Sequence, residues 1–189
     1  YYTGDLAKWN NEGILEYLGR YHALEKINEL KSKNTLLAVI TDEKALKKCL
    51  TVGQNNKTRL KLGKKDICSD SAYTQLEGIV KKINNYKGIN SVLFDYGEND
   101  VIVTDKRVVM TDPEFIKSLG VNFNEYQLII LKSGYLAPEF RTYSVRTILG
   151  LAPGCTNQVF ADIPYERLTR PIFPLDKDFN YKVKNNLML

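Results

Sequence analysis

The sequence is poor in the residues that build metal and nucleophile sites. Its 189 residues include one histidine, His22, and three cysteines, Cys49, Cys68 and Cys155. Zinc sites need several ligands, and their cysteines usually come in close pairs, which do not occur in this sequence. A Ser-His-Asp or Cys-His triad would have to use His22, and no GxSxG turn is present to carry a nucleophile. We therefore predict no catalytic site complete within this chain, and free thiols in a reducing compartment.

Long apolar runs are also missing. The longest runs, such as Leu36–Ile40, suffice for a buried strand, whereas a membrane span needs roughly 18 apolar residues. No basic segment followed by an apolar one opens the chain, so no secretion signal is predicted. We expect a soluble, cytoplasmic protein without a membrane partner. The first residue is Tyr1, which fits a piece of a longer protein.

Basic residues are in excess but dispersed. The net charge is +5, with 43% hydrophobic and 26% charged residues, as in ordinary globular domains. A nucleic-acid binder usually concentrates its basic residues on one face. The densest stretch, Lys57–Lys65, alternates like an exposed edge strand, where lysines oppose aggregation. Nucleic acid is therefore not expected as a partner.

The order of patterns predicts an α/β fold. A helix is predicted from Asn10 or Asn11 to about Leu30, then a buried strand at Thr35–Ile40. Asp42 or Thr41 can cap a second helix, which ends before Gly53. Further strands are predicted at Arg59–Leu62, Leu76–Ile83, Ser91–Tyr96, Val101–Thr104, Arg107–Met110 and Tyr126–Leu131. We predict a mixed sheet with flanking helices in one domain spanning residues 1–189, with an α+β arrangement still open.

Short helices and a tail complete the prediction. Asp112 and Pro113 open a helix that ends at Gly120. A helical piece is predicted at Glu139–Arg146 and a strand near Thr147–Leu151. Prolines 164, 171 and 174 indicate an extended C-terminal tail that lies across the surface.

One motif is suited to binding an anion. Lys132, Ser133 and Gly134 directly follow a predicted buried strand, so backbone N–H groups and a lysine would meet at the strand end. The spacing is not that of a P-loop. A plain turn with a solvated lysine is an equally good interpretation. Asp5, beside Gly4, is either part of a turn or a polar contribution to a cleft.

The last sixty residues resemble a known family. Lys132-Ser133, then Leu149–Thr156 (LGLAPGCT), then Leu168–Asp176 (LTRPIFPLD) are similar to the C-terminal region of the microcystinase C-like metallopeptidases, the linear-microcystin-degrading family. Its most specific feature is the ending RPxxPLD, preceded here by Pro164-Tyr165. The resemblance extends more loosely back to Gly4-Asp5.

The resemblance implies a two-part enzyme. The zinc ligands would lie in an N-terminal catalytic domain, and this chain would pack on that domain and help to line its substrate cleft. No cofactor is then expected in this chain. Lys132, Ser133 and Arg170 would face the cleft, with Asp5 nearby and a peptide or small molecule as substrate. Leu136 departs from the family, in which many relatives carry a histidine at that position.

Arg170 has two interpretations. It could bind a substrate carboxylate through two hydrogen bonds, or pin the C-terminal tail to the domain by a salt bridge. A second functional hypothesis also remains open, namely a stand-alone module that holds a small anionic ligand at Lys132, Ser133 and Gly134. Homo-oligomer formation stays open as well.

Overall fold

Within the described residues the chain forms eight strands, two short α-helices and two 3-10 turns. The computed structural model describes residues 7–9, 15–17, 33–62, 74–131, 136–147 and 165–178. The strands are β1 (Ala7–Trp9), β2 (Leu15–Tyr17), β3 (Thr35–Thr41), β4 (Lys57–Leu62), β5 (Thr74–Tyr86), β6 (Ile89–Asp95), β7 (Asn99–Thr104) and β8 (Leu128–Leu131). The helices are α1 (Glu43–Val52) and α2 (Pro113–Lys117), and 3-10 turns span Phe123–Glu125 and Pro138–Tyr143.

The six strands β3 to β8 form one mixed sheet. Their order is β4-β5-β6-β7-β3-β8. Strand β3 runs parallel to both β7 and β8, whereas β4, β5, β6 and β7 pair antiparallel in succession. A mixed sheet with flanking helices is the predicted α/β class, and that prediction is confirmed.

Strand β3 is central because both of its faces are apolar. Its residues are buried except for Thr41, as expected for a parallel strand covered on both sides. Leu37 and Ile40 contribute to one cluster of buried side chains, and Leu36 and Ala38 contribute to the other. The apolar run in the sequence is therefore continuous because β3 contributes side chains to two cores, one on each face of the sheet.

Helix α1 covers the first face. The Asp42 carboxylate caps it by accepting a hydrogen bond from the Ala45 N–H at 3.0 Å. Leu46 and Cys49 face the sheet, and Gly53, with φ 84°, ends the helix. The predicted cap and terminator of this helix are confirmed.

Helix α2 and the two 3-10 turns cover the second face. Pro113 begins the short helix, and Phe115 and Ile116 point into the core. Phe123 packs edge-on against Phe140. The helix is shorter than predicted, because residues 118–120 form a turn rather than a further helical segment.

Three predictions about local structure need correction. Leu15–Tyr17 forms a strand paired with Ala7–Trp9, not part of a long helix. The remainder of that predicted helix lies outside the described residues. Arg107–Met110 is irregular rather than a strand, and Glu139–Arg146 is represented by the 3-10 turn at Pro138–Tyr143.

Candidate functional site

The carboxyl ends of β7, β3 and β8 meet at one edge of the sheet, because these three strands are parallel. From this edge, β3 leads into α1 on the first face, and β7 leads towards α2 on the second. Neighbouring strands whose connections diverge to opposite faces leave a crevice between them. Open α/β sheets bind their ligands in such crevices. We refer to this region as the carboxyl edge.

Two threonines and a helix N-terminus form the carboxyl edge. The Thr104 hydroxyl donates to the Lys106 carbonyl oxygen at 2.9 Å, and its Oγ1 lies 3.4 Å from Oγ1 of Thr41. The Asp42 N–H donates to the Thr104 carbonyl oxygen at 3.0 Å. Thr41 and Lys106 are exposed, whereas the Asp42 carboxylate is used to cap α1. The donors at this edge bind oxygens of the chain itself, and these residues include no acid–base pair.

Two of the predicted site regions fall outside the described residues. Lys132, Ser133 and Gly134 directly follow β8, whose last residue, Leu131, pairs with Ala38 of β3. Asp5 is also outside them. The role predicted for these residues therefore stays a prediction. The described residue beyond this gap, Leu136, is partly buried and packs against the apolar cluster on the second face.

Arg170 forms an ion pair within its own segment. Its Nη2 lies 2.6 Å from Oδ1 of Asp176, and Oδ2 of the same carboxylate accepts the Ile172 N–H at 2.7 Å. The Ile172 N–H and then the Arg170 guanidinium hold the pKa of Asp176 below its usual value. The partner of Arg170 is thus six residues away in the same segment, rather than in the domain core.

A buried polar cluster that the sequence did not indicate lies at the opposite end of the sheet. Asp100, at the start of β7, is only 4% exposed. Its carboxylate accepts hydrogen bonds from Lys81 Nζ at 2.9 and 3.1 Å and from the Tyr126 hydroxyl at 2.5 Å. Asp95 lies 3.5 Å from the same ammonium group. These contacts join β5, β6, β7 and the segment before β8.

The electrostatics of this cluster follow from its burial. Burial alone would lower the pKa of Lys81, but the hydrogen bond and charge of Asp100, helped by Asp95, outweigh burial and raise it. Burial and the hydrogen bond to Asp100 raise the pKa of Tyr126. Burial and the charge of Asp100 raise the pKa of Tyr96, whose buried hydroxyl has no hydrogen-bond partner among the residues that the structure describes. Lys81 and Tyr126 are thus held in the protonation states that donate hydrogen bonds to Asp100, which indicates a structural role.

Of the single histidine and the three cysteines, the structure describes one residue, Cys49. Cys49 is buried and unpaired, and burial raises its pKa to about 11. His22, Cys68 and Cys155 lie outside the described residues. Among the side chains that the structure does describe, no three His, Cys, Asp or Glu residues come together to hold a metal ion. No described helix is long and apolar enough to span a membrane.

The basic stretch from Lys57 also has a structural explanation. Within the described sheet β4 is an edge strand. Lys57 and Arg59 both pair with Glu77 of β5, at 2.7 and 2.8 Å. The predicted edge strand with outward basic residues is confirmed over Lys57–Leu62, and one neighbouring carboxylate, that of Glu77, pairs with two of its basic side chains.

Comparison with known proteins identifies the family. The family model described as MlrC C-terminus matches residues 19–167, so the chain belongs to this family, and the predicted resemblance is confirmed. A crystal structure at 2.13 Å resolution of a candidate metallopeptidase from Mesorhizobium sp. BNC1 has a similar fold, with a TM-score of 0.63 at 19% sequence identity. The similarity covers 84% of this chain but 35% of that one, so this chain spans about a third of its structural relative. No curated protein sequence matches at a significant level.

Proposed function

We propose that this chain is the C-terminal domain of a zinc-dependent hydrolase and completes the substrate cleft of an N-terminal domain that binds the zinc. The observation that supports the proposal most is the match to the MlrC C-terminus family over residues 19–167. The fold similarity to a much longer chain named as a metallopeptidase agrees with it.

In this proposal the zinc belongs to the other domain. The described residues of this chain do not bring a ligand set together, so we assign no catalytic step to them. When bound, a zinc ion in a hydrolase polarises the substrate carbonyl and activates water. The contribution of this chain would be to bind and orient the substrate beside that centre.

The carboxyl edge is the part of this chain that we propose lines the cleft. It lies where open α/β sheets bind ligands, and Lys132, Ser133 and Gly134 follow its outer strand in the sequence. A lysine and backbone N–H groups there would bind an anionic group of a peptide or small-molecule substrate. Asp5 would contribute from the start of the chain. We assign Arg170 to its ion pair with Asp176 rather than to substrate.

Measurement of the metal content tests whether the zinc is bound outside this chain. The complete protein, expressed from its full reading frame, and the 189-residue chain would each be dialysed and analysed by elemental mass spectrometry. We expect near-stoichiometric zinc in the complete protein and none in this chain. Stoichiometric zinc in the 189-residue chain would contradict the proposal. A reading frame that starts immediately before Tyr1 would also contradict it and favour the stand-alone anion-binding module.

Substrate binding tests the role of the carboxyl edge. In the complete protein, we expect Lys132→Gln to raise KM about tenfold for a peptide with a free carboxylate, with little change in kcat, because a charge-assisted hydrogen bond to the ground state is lost. A peptide amide should show no such increase. Lys33→Gln is the matched control, since Lys33 is an exposed lysine that precedes β3, at the opposite end of the sheet. Equal KM values for Lys132→Gln and the wild type would refute the assignment.

A further inference from the structure

Residues 165–178, called here the C-terminal loop, present apolar side chains to solvent. Phe173 is 74% exposed, and Tyr165, Leu168 and Ile172 are also exposed. Neither of the two clusters of buried side chains in the described part of the chain includes a residue from this loop. Isolated exposed apolar residues are common on protein surfaces, but here four of them fall within nine positions of the chain, which makes the loop a candidate interaction site.

The loop is held in shape by its own hydrogen bonds. The carboxylate of Asp176 binds both the Arg170 guanidinium and the Ile172 N–H, and the Asp176 N–H donates back to the Ile172 carbonyl oxygen at 2.9 Å. These three contacts close a ring with Phe173 and Pro174 between its ends. A side chain presented on a closed ring loses little conformational entropy on binding, which favours its use as an anchor.

The loop is rich in charged side chains, which balance one another and would lie at the polar rim of an interface around Phe173. It contains three acidic and three basic residues, whereas the whole chain carries +5. The core of a protein interface is depleted in charge and enriched in aromatic residues, and a few buried aromatic anchors supply most of its binding energy. Phe173 has the type, the exposure and the fixed position of such an anchor.

We infer that the C-terminal loop is the surface through which this chain docks onto the N-terminal domain of the longer protein, with Phe173 inserted in an apolar pocket of that domain. The inference rests on the proposed function. Two observations indicate that the binding partner is a domain of the same polypeptide. The matching family is a C-terminal one, and this chain covers 35% of its structural relative. A domain tethered in the same polypeptide is present at a far higher effective concentration than a second copy.

Arg170 and Asp176 are positioning residues in this arrangement. They shape the loop that presents Phe173 and need not contact substrate themselves. The Arg170 side chain is about half exposed, at 53%, and the Asp176 side chain is at 25%, so the pair sits at the surface. Docking would cover it.

Photo-crosslinking in the complete protein tests the inference. A benzophenone amino acid would replace Phe173, and crosslinks would be mapped by mass spectrometry. We expect crosslinks to residues that precede Tyr1 in the same polypeptide. Val109 is the matched control, because it is 67% exposed and apolar but lies outside the loop. It should give no such crosslinks. Crosslinks confined to residues 1–189, or crosslinks to a second copy on dimeric bands, would overturn the inference.

A substitution provides an independent measurement. We expect Phe173→Ser in the complete protein to accelerate proteolytic cleavage between the domains by about tenfold, a change typical of losing an aromatic interface anchor. Val109→Ser should leave the rate unchanged, and an unchanged rate in Phe173→Ser would contradict docking. Zinc content of the same samples separates the two proposals. Zinc without crosslinks at position 173 rejects only the docking inference, whereas crosslinks without zinc reject only the hydrolase proposal.

Discussion

The hydroxyl of Tyr126 donates to the carboxylate of Asp100 at 2.5 Å, although the two residues are 26 positions apart. Tyr126 precedes β8, and Asp100 starts β7, so the bond spans the central strand β3 that lies between them in the sheet. Lys81 of β5 binds the same carboxylate from the other side. One buried acid therefore links the antiparallel half of the sheet to the parallel edge strand that leads into Lys132.

Replacement of Tyr126 by phenylalanine tests this link. We expect Tyr126→Phe to lower the free energy of unfolding by about 1.5–3 kcal/mol, since a hydrogen bond to a largely buried charged group is lost. Urea unfolding followed by circular dichroism measures the change. Tyr165→Phe is the control because Tyr165 is an exposed phenol in the C-terminal loop, and its effect should stay within about 0.5 kcal/mol. Equal stability of the two variants would show that the hydrogen bond between Tyr126 and Asp100 contributes nothing.

A second prediction concerns Gly78 of β5. A Cβ at this position would collide with the backbone carbonyl of Asp95 in the neighbouring strand β6. Since backbone rather than a flexible side chain is in the way, the strands would have to separate. We expect Gly78→Ala to cost about 1–3 kcal/mol in the same unfolding experiment, as overpacking of a core does. Gly88→Ala is the comparison variant, because a Cβ at that position would meet open space. The positive φ of Gly88 strains any side chain there, so this variant is not a strain-free control.

Local patterns predicted the elements whose causes are local. Asp42 caps α1 through its own side chain, and the alternation around Lys57 marks an edge strand. The turn at Gly97 joins two antiparallel strands as its composition predicts. In each case the residues that determine the structure lie within a few positions of one another.

The errors arose where distant residues determine the structure. Val108 and Met110 are buried and Val109 is exposed, so the alternation near Arg107 is real. It forms no strand, because β7 already pairs with β6 and β3 on its two sides. The Asp100 cluster draws on positions 81, 95, 100 and 126, which share no motif. From the sequence alone Asp100 is predicted to be a turn residue, because it follows Gly97-Glu98-Asn99. Only the order of the strands in the sheet shows that it lies beside positions 81, 95 and 126.

The burial of the Cys49 thiol should make the stability of the folded chain depend on pH. Burial raises its pKa to about 11 in the folded chain from the ordinary value of 9.0. Between these values the unfolded state releases the proton and the folded state keeps it, so stability falls as pH rises through this window. We expect the wild type to lose more stability than Cys49→Ala between about pH 9 and 11. Parallel curves for the two proteins in urea unfolding at each pH would contradict the assignment.

The ion pair between Arg170 and Asp176 should be visible in hydrogen exchange. The Ile172 N–H donates to the Asp176 carboxylate and the Asp176 N–H to the Ile172 carbonyl, so both amides are protected by the closed ring. We expect Arg170→Gln and Asp176→Asn to speed exchange at both amides, with Lys177→Gln as the neighbouring control. Because the pKa of Asp176 is lowered, the protection should persist at mildly acidic pH and disappear as pH falls through that lowered value.

The same two variants separate the interpretations of Arg170. If Arg170 only shapes the loop, Arg170→Gln and Asp176→Asn should change the KM of the complete protein equally, because each opens the same ring. If Arg170 binds a substrate carboxylate, Arg170→Gln should raise KM, whereas Asp176→Asn frees the guanidinium and should not. We expect equal changes, since the Asp176 carboxylate already engages Nη2 at 2.6 Å. A KM increase confined to Arg170→Gln, with normal amide protection, would show that Arg170 binds the substrate carboxylate instead.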